Sequence, residues 1–247
     1  IAAVVSLVVI NSLARALFIK VSVGDGHLYG ALIDILRISA PLMLVALGMT
    51  IVIATRGIDL SVGAVMAVSG AVALTIIHDS GDPDNLGTVV SAVVVALLVA
   101  LVLGSWNGML IAVLGIQPII ATLVLMLAGR GVALLITEGF ITTVNSGPFE
   151  YIATGYLLIL PFAFLISLTA ILVIGAFERR TALGMLTEAV GINPEASRLA
   201  GVRSRGIIFS VYVVSGLMAG IAGVIYSSNI RAADANAAGL FLSLIHI

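Results

Sequence analysis

Apolar runs about as long as a bilayer is thick fill this chain, and only short polar stretches separate them. In hydrocarbon no water satisfies backbone N–H and C=O groups, so a run of about 20 apolar residues folds as a helix. Seven such runs are marked, at about 1–19, 38–55, 60–78, 86–115, 118–137, 156–177 and 207–228. A β-barrel would show shorter, alternating segments instead. The fold class is therefore all-α: a polytopic transmembrane helix bundle, read as a single domain over 1–247. Composition agrees, with 61% hydrophobic and 9% charged residues, where soluble domains carry roughly 25% charge. The lipid bilayer is the first partner. A net charge of −1 offers no basic field for nucleic acid. The absence of cysteine excludes disulfides, thiolate metal sites and a cysteine nucleophile. The sequence opens at Ile1 inside an apolar run with no identifiable signal peptide, and reads as truncated there.

Arg15 interrupts the first run, Arg37 precedes the second, and Pro118 opens the fifth. The fourth is long enough to tilt strongly or to break around Gly104 to Gly108. The polar stretch 178–206 holds Arg179, Arg180, Arg198, Arg203 and Arg205, five of the chain's 11 basic residues. Basic residues resist translocation, so this loop belongs in the cytoplasm. Alternation then places 20–37, 79–85 and 138–155 outside, and the N-terminus, 56–59 and Gly115 to Pro118 inside. The acidic 79–85 loop fits an outer position, whereas Lys20 and Arg37 run against theirs. Within 178–206, Asn193-Pro194-Glu195 reads as a helix start, with Asn193 as cap and Pro194 in the first helical position. Gly201 ends that helix in a left-handed conformation, and Glu195 and Arg198 complement its dipole. A short, capped helix between two spans is a docking element. The spacings Gly104/Gly108 and Gly216/Gly220 are small-xxx-small patterns, which signal close helix packing.

Few side chains can carry chemistry. Arg56, Asp59 and Ser61 interrupt the apolar run that joins the second and third spans. A charge within the membrane costs about 2.5–3.5 kcal/mol on insertion scales. Asp59 reads as a cap of the third span paired with Arg56, or as part of a broken helix lining a translocation path. Arg130, inside the fifth span, has Glu138 about two turns further on; it pairs within the bundle or faces water. Asn107 reads as interhelical glue or a path residue, and Trp106 as packing. Arg231, Asp234 and Asn236 follow the seventh span as a solvated loop or a contact to a soluble partner. No phosphate-binding loop, paired-histidine zinc motif or Ser-His-Asp grouping can be built from His27, His78 and His246. No catalytic residue and no metal ligand is assigned, and enzymatic activity is not expected.

The stretch Gly48 to Met66, with Thr55-Arg56-Gly57-Ile58-Asp59-Leu60-Ser61 at its centre, resembles the signature of ribose-type permeases of bacterial ABC sugar importers. Trp106 to Ile111, Gln117 to Gly131 and Thr181 to Asn193 are similar to that family too, so the likeness covers nearly all of 20–240. Ile33 to Leu36 and Arg231 to Gly239 resemble its galactofuranose branch. The resemblance implies a type II-like ABC importer permease of the bacterial inner membrane, with about seven of an expected ten spans present. It implies a second permease subunit, identical or different, and a periplasmic sugar-binding protein. It also implies a cytoplasmic ABC ATPase with tandem cassettes, which would hold ATP and Mg while this chain carries no cofactor. Loop 178–206 would be the coupling loop: Glu188, Ala189 and Gly191 resemble the element shown to the ATPase, followed by Asn193, Pro194, Glu195 and Ala196. From the polar residues within the spans themselves, Asp59, Ser61, Asn107 and Arg130 are the candidates for the translocation path.

The chain departs from that pattern twice. Relatives carry Gly-Gly where this sequence has Arg56-Gly57. Relatives also continue past Gly239 with further spans, so the chain reads as a fragment, its residues 243–247 as non-native. Two other functions stay open. An ion-coupled secondary carrier would use Asp59 as its ion site. A non-transporting membrane scaffold would leave the capped cytoplasmic helix unexplained.

Overall fold

The computed structural model describes residues 22–24, 27–157 and 159–233. The first apolar run with Arg15, and Lys20, Asp234, Asn236, Gly239 and 243–247, lie outside the described residues. The described chain opens with the hairpin β1 (Ser22–Gly24) and β2 (His27–Tyr29), then α1 (Ala31–Ala54) and α2 (Val62–His78). Next come α3 (Leu86–Ala112), α4 (Pro118–Ile136) and a short α5 (Gly147–Thr154). The hairpin β3 (Tyr156–Leu157) and β4 (Leu160–Pro161) leads into α6 (Phe162–Arg180). Two short helices, α7 (Ala182–Ile192) and α8 (Pro194–Leu199), precede the long α9 (Ser204–Ile230).

Six of the seven apolar runs are thus helices. Five of these, α1, α3, α4, α6 and α9, are long and apolar enough to cross a membrane. The sixth, α2, has 17 residues and a length of about 26 Å, because a polar break precedes it. Several boundaries differ from expectation, each for a local reason. Helix α1 starts seven residues early, since Asp34 and Arg37 pair at i,i+3 (3.5 Å) and hold the first turns in helical form. Helix α6 starts late, because Tyr156 to Pro161 form a hairpin and Pro161 sits at the N-cap. Helix α3 runs unbroken through Gly104 and Gly108.

The loops sort to two ends. At one end the His27 ring stacks on Tyr156 (4.9 Å between centroids), and the Leu28 N–H donates to the Ile159 carbonyl. The Ser146 hydroxyl donates to the Pro83 carbonyl, the Val144 N–H to the Arg231 carbonyl, and Arg231 pairs with Glu150. This end gathers 27–30, 79–85, 138–157, 159–161 and 231–233. The other holds 55–61, 113–117 and 181–203. The loops fall into the two sets that alternation along the chain requires; the basic loop lies at the second end, which the sequence reading expects in the cytoplasm.

Helix α9 lies at the centre, packed on α3, α1 and α2. Bilayer lipid gives helices no hydrophobic drive to associate, so close approach of small residues carries the packing. A β-carbon placed on Gly216 would stand 2.7 Å from the Gly104 Cα, and one on Gly104 would stand 2.8 Å from the Tyr212 carbonyl oxygen. The two small-xxx-small patterns face each other, as packing elements should. Gly175, by contrast, has nothing among the described residues within 4 Å of such a carbon. Gly216→Val is expected to destabilise the bundle by about 1–3 kcal/mol through overpacking. The check is the thermal unfolding midpoint in detergent, which should fall for Gly216→Val and stay near wild type for Gly175→Ala.

Candidate functional site

Helix α1 ends in a Schellman turn: the Arg56 N–H donates to the Ile53 carbonyl and the Gly57 N–H to Val52. Arg56 takes the left-handed position (φ 59), which normally favours glycine. The chain then passes beneath α9, and a β-carbon at Gly57 would overlap the Tyr212 hydroxyl. That hydroxyl donates to the Ile58 carbonyl (3.4 Å), as does Thr122 of α4 (3.5 Å).

Asp59 follows, 2% exposed, the one charged side chain buried among the described residues. A buried carboxylate is tolerated only when its oxygens receive donors. Oδ1 accepts from the Ser61 N–H (2.9 Å) and the Ser61 hydroxyl (2.6 Å). Oδ2 accepts from the Ser215 hydroxyl of α9 (2.9 Å). The Asn107 amide of α3 donates to Ser61 Oγ (2.8 Å), while its own Oδ1 is buried without a partner among the described residues. The pairing with Arg56 is not made. Closing the Schellman turn leaves Arg56 exposed, and the ion pairs of the described residues are Asp34–Arg37, Glu150–Arg231 and Glu195–Arg198.

Three of the four expected path residues, Asp59, Ser61 and Asn107, therefore meet in one polar knot. All three are buried, so among the described residues they line no open passage in this conformation. Arg130 lies apart, half-buried on α4. Its expected partner Glu138 sits beyond the helix end in a left-handed turn (φ 53) and is exposed, so the two do not pair. Trp106 is half-exposed on α3 and is not a core residue. Tyr212 and Ser215 escaped the sequence reading. Their only sign is a polar i,i+3 pair on an apolar helix, and nothing local connects them to Asp59.

At the end that holds the basic loop, Asn193 Oδ1 accepts from the N–H groups of Glu195 (3.1 Å) and Ala196 (3.0 Å), with Pro194 in the first turn. Gly201 closes α8 with φ 88, and Arg198 pairs with Glu195. The capped helix is as expected, but α7 was not: Thr181 caps it through the Leu183 N–H (3.3 Å). Glu188 on α7 is exposed, Ala189 half-buried and Gly191 buried. Gly191 lies against the end of α1, where a β-carbon would overlap the Ala54 carbonyl oxygen. Pro194 receives the Ser204 hydroxyl of α9 (3.0 Å). A cavity of about 200 Å³ lies beside this segment, lined by Ile51, Glu178, Thr187, Ile207 and Val211 among others. At the outer end a polar cavity of about 330 Å³ is lined by Thr75, His78, Asp79, Thr137, Glu138 and Thr143 among others. Among the described residues no group of three or more His, Cys, Asp or Glu is placed to hold a metal.

Residues 31–247 match the family model described as branched-chain amino acid transport system / permease component. The chain is 48% identical over 244 residues to the galactofuranose transporter permease protein YtfT of Escherichia coli, covering 98% of this chain and 69% of that protein. It is 40% identical over 253 residues to the fructose import permease protein FruF of Bifidobacterium longum (100% and 69%). It is 34% identical over 209 residues to the ribose import permease protein RbsC of Bacillus subtilis (83% and 63%). No solved structure matches.

Two substitutions probe the break. Arg56→Gly relieves a left-handed residue that costs about 1–2 kcal/mol, and should raise the unfolding midpoint in detergent. Asp59→Ala leaves the Ser61 and Ser215 donors buried and unpaired, at about 1–3 kcal/mol, and should lower it.

Proposed function

The chain belongs to the branched-chain amino acid transport system / permease component family, and on that premise we propose that it forms the membrane path of an ATP-driven monosaccharide importer. It is a multi-pass inner-membrane protein. The substrate class follows the relatives, whose names are those of galactofuranose, fructose and ribose permeases. A branched-chain amino acid brings two charges that need counter-charges along the path. Asp59, the buried acid, is already saturated with donors.

The observation that carries the ATP-driven reading is the cytoplasmic surface of α7 and α8. Met185, Ile192 and Leu199 are 67%, 71% and 82% exposed there, beside exposed Glu188 and Glu195. An apolar patch rimmed by charge at the water-facing end of a membrane protein marks a protein partner. That partner is a cytoplasmic ATPase with tandem cassettes, which holds ATP and Mg. A second permease subunit completes the path, and a periplasmic binding protein delivers the sugar at the outer end. Closure of the cassettes pushes α7 and α8, and the spans alternate access by rigid-body rocking. ATP must favour one access state over the other, or no sugar moves uphill.

Reconstitution in proteoliposomes with these partners is expected to show sugar uptake that requires ATP. Uptake that persists without ATP would overturn the reading. Glu188→Lys and Leu199→Asp should each reduce ATPase co-purification by about tenfold, equal to about 1.4 kcal/mol of docking energy, while the chain still inserts in membranes. Full co-purification of both variants would show that α7 and α8 are only a linker.

A further inference from the structure

The α7–α8 segment packs on α6, α1 and α9, and two of its contacts lead to the same carboxylate. Gly191 is seated on the Ala54 carbonyl, at the last turn of α1 before the break. Pro194 is bound by Ser204, in the first turn of α9. From the first contact the chain runs five residues to Asp59. From the second, α9 runs up to Tyr212 and Ser215, one turn apart, which grip Ile58 and Asp59. The segment, the break and α9 form a closed mechanical loop with Asp59 as its joint.

The joint is made unequally. On the α9 side the Asp59 carboxylate receives Ser215, and the backbone beside it receives Tyr212. On the α3 side, among the described residues, a single Asn107 donor reaches Ser61, and the Asn107 carbonyl oxygen is buried with no donor. The adjoining α3–α9 interface is built largely of small residues, Gly104 and Ala100 against Gly216 and Gly220, with the Phe209 ring on Gly108 beside them.

We infer that Asp59 is a positioning residue that locks the α1–α2 break to α9, so that force on α7–α8 moves break and α9 as one body along α3. The inference rests on the reading of this chain as an ATP-driven permease for the source of the force, but the link itself is a property of the chain. It gives the buried carboxylate a task other than binding sugar. It also explains why the break tolerates an unmade hydrogen bond at Asn107: that contact is the one exchanged when the body slides.

The 247 residues contain no cysteine, so a single introduced thiol reports the joint. Ser215→Cys, buried in the knot, is to be compared in membranes with Ser69→Cys, equally buried on α2, by the rate of alkylation with N-ethylmaleimide. Adding Gly191→Ala, which forces α7 off Ala54, is expected to speed alkylation at 215 roughly fivefold or more, the size of a typical coupling, and to leave 69 unchanged. Equal rates at 215 with and without Gly191→Ala, or equal acceleration at both positions, would overturn the link. Nucleotide separates the two readings. If Gly191→Ala accelerates labelling at 215 but ATP with the cassette ATPase does not, the link stands and the ATP-driven reading falls. In the transporting complex, Asp59→Asn should lower sugar moved per ATP roughly fivefold or more, with Asp59→Glu restoring part of it. An unchanged ratio in Asp59→Asn would remove Asp59 from the joint.

Discussion

The burial of one carboxylate sets the terms for the rest of this structure. A charge taken out of water must be given donors, and the cost of failing is several kcal/mol. Asp59 is given three, and each requirement propagates. Ser61 supplies two only because the chain between α1 and α2 leaves the helical path. Ser215 supplies the third only if α9 passes directly over the break. Gly57 allows that passage, and Tyr212 secures it through the Ile58 carbonyl. The central place of α9 and the shortness of α2 both follow from where this side chain is satisfied.

The spans around it are held by a different rule. Lipid rewards no apolar burial between helices, so packing depends on how closely backbones approach. Glycines at 104 and 216 bring α3 and α9 together. An interface of that kind has close backbone contact with few side chains between the two helices. It suits two bodies that must stay packed while one moves, which is what a transporter asks of its spans. The outer end is built more rigidly, with the Glu150–Arg231 pair, the Ser228 hydroxyl on the Phe149 carbonyl and the strand-like pairing of Thr143 with Ala232.

Much of this was legible in the sequence, and the reasons are physical. The spans were found because a long apolar run in lipid has one way to satisfy its backbone. The α8 cap was found because Asn193, Pro194 and Gly201 act within a few residues of one another. Local signals failed where two of them competed. At the start of α1 an Asp34–Arg37 pair extended a helix that charge alone argued against, and before α6 a hairpin replaced a predicted turn of helix. Helix α7 was hidden because a single capping threonine stood in a stretch read for its charge.

The sequence by itself determined that this chain crosses a membrane many times, which loops share an end, and where a capped polar segment lies. Those depend on hydropathy, charge and capping, all of which act over a few residues. Only the tertiary structure decided what Asp59 binds. From the sequence Arg56, three residues away, was its natural partner; in the fold it takes Ser61, two residues on, and Ser215, 156 residues on. Proximity along the chain yields here because a helix-ending turn points Arg56 outward, while packing of α9 carries a neutral donor into the space where the carboxylate is buried. Long-range hydrogen bonds of this kind have no period and no motif, and they exist only once the helices have been placed.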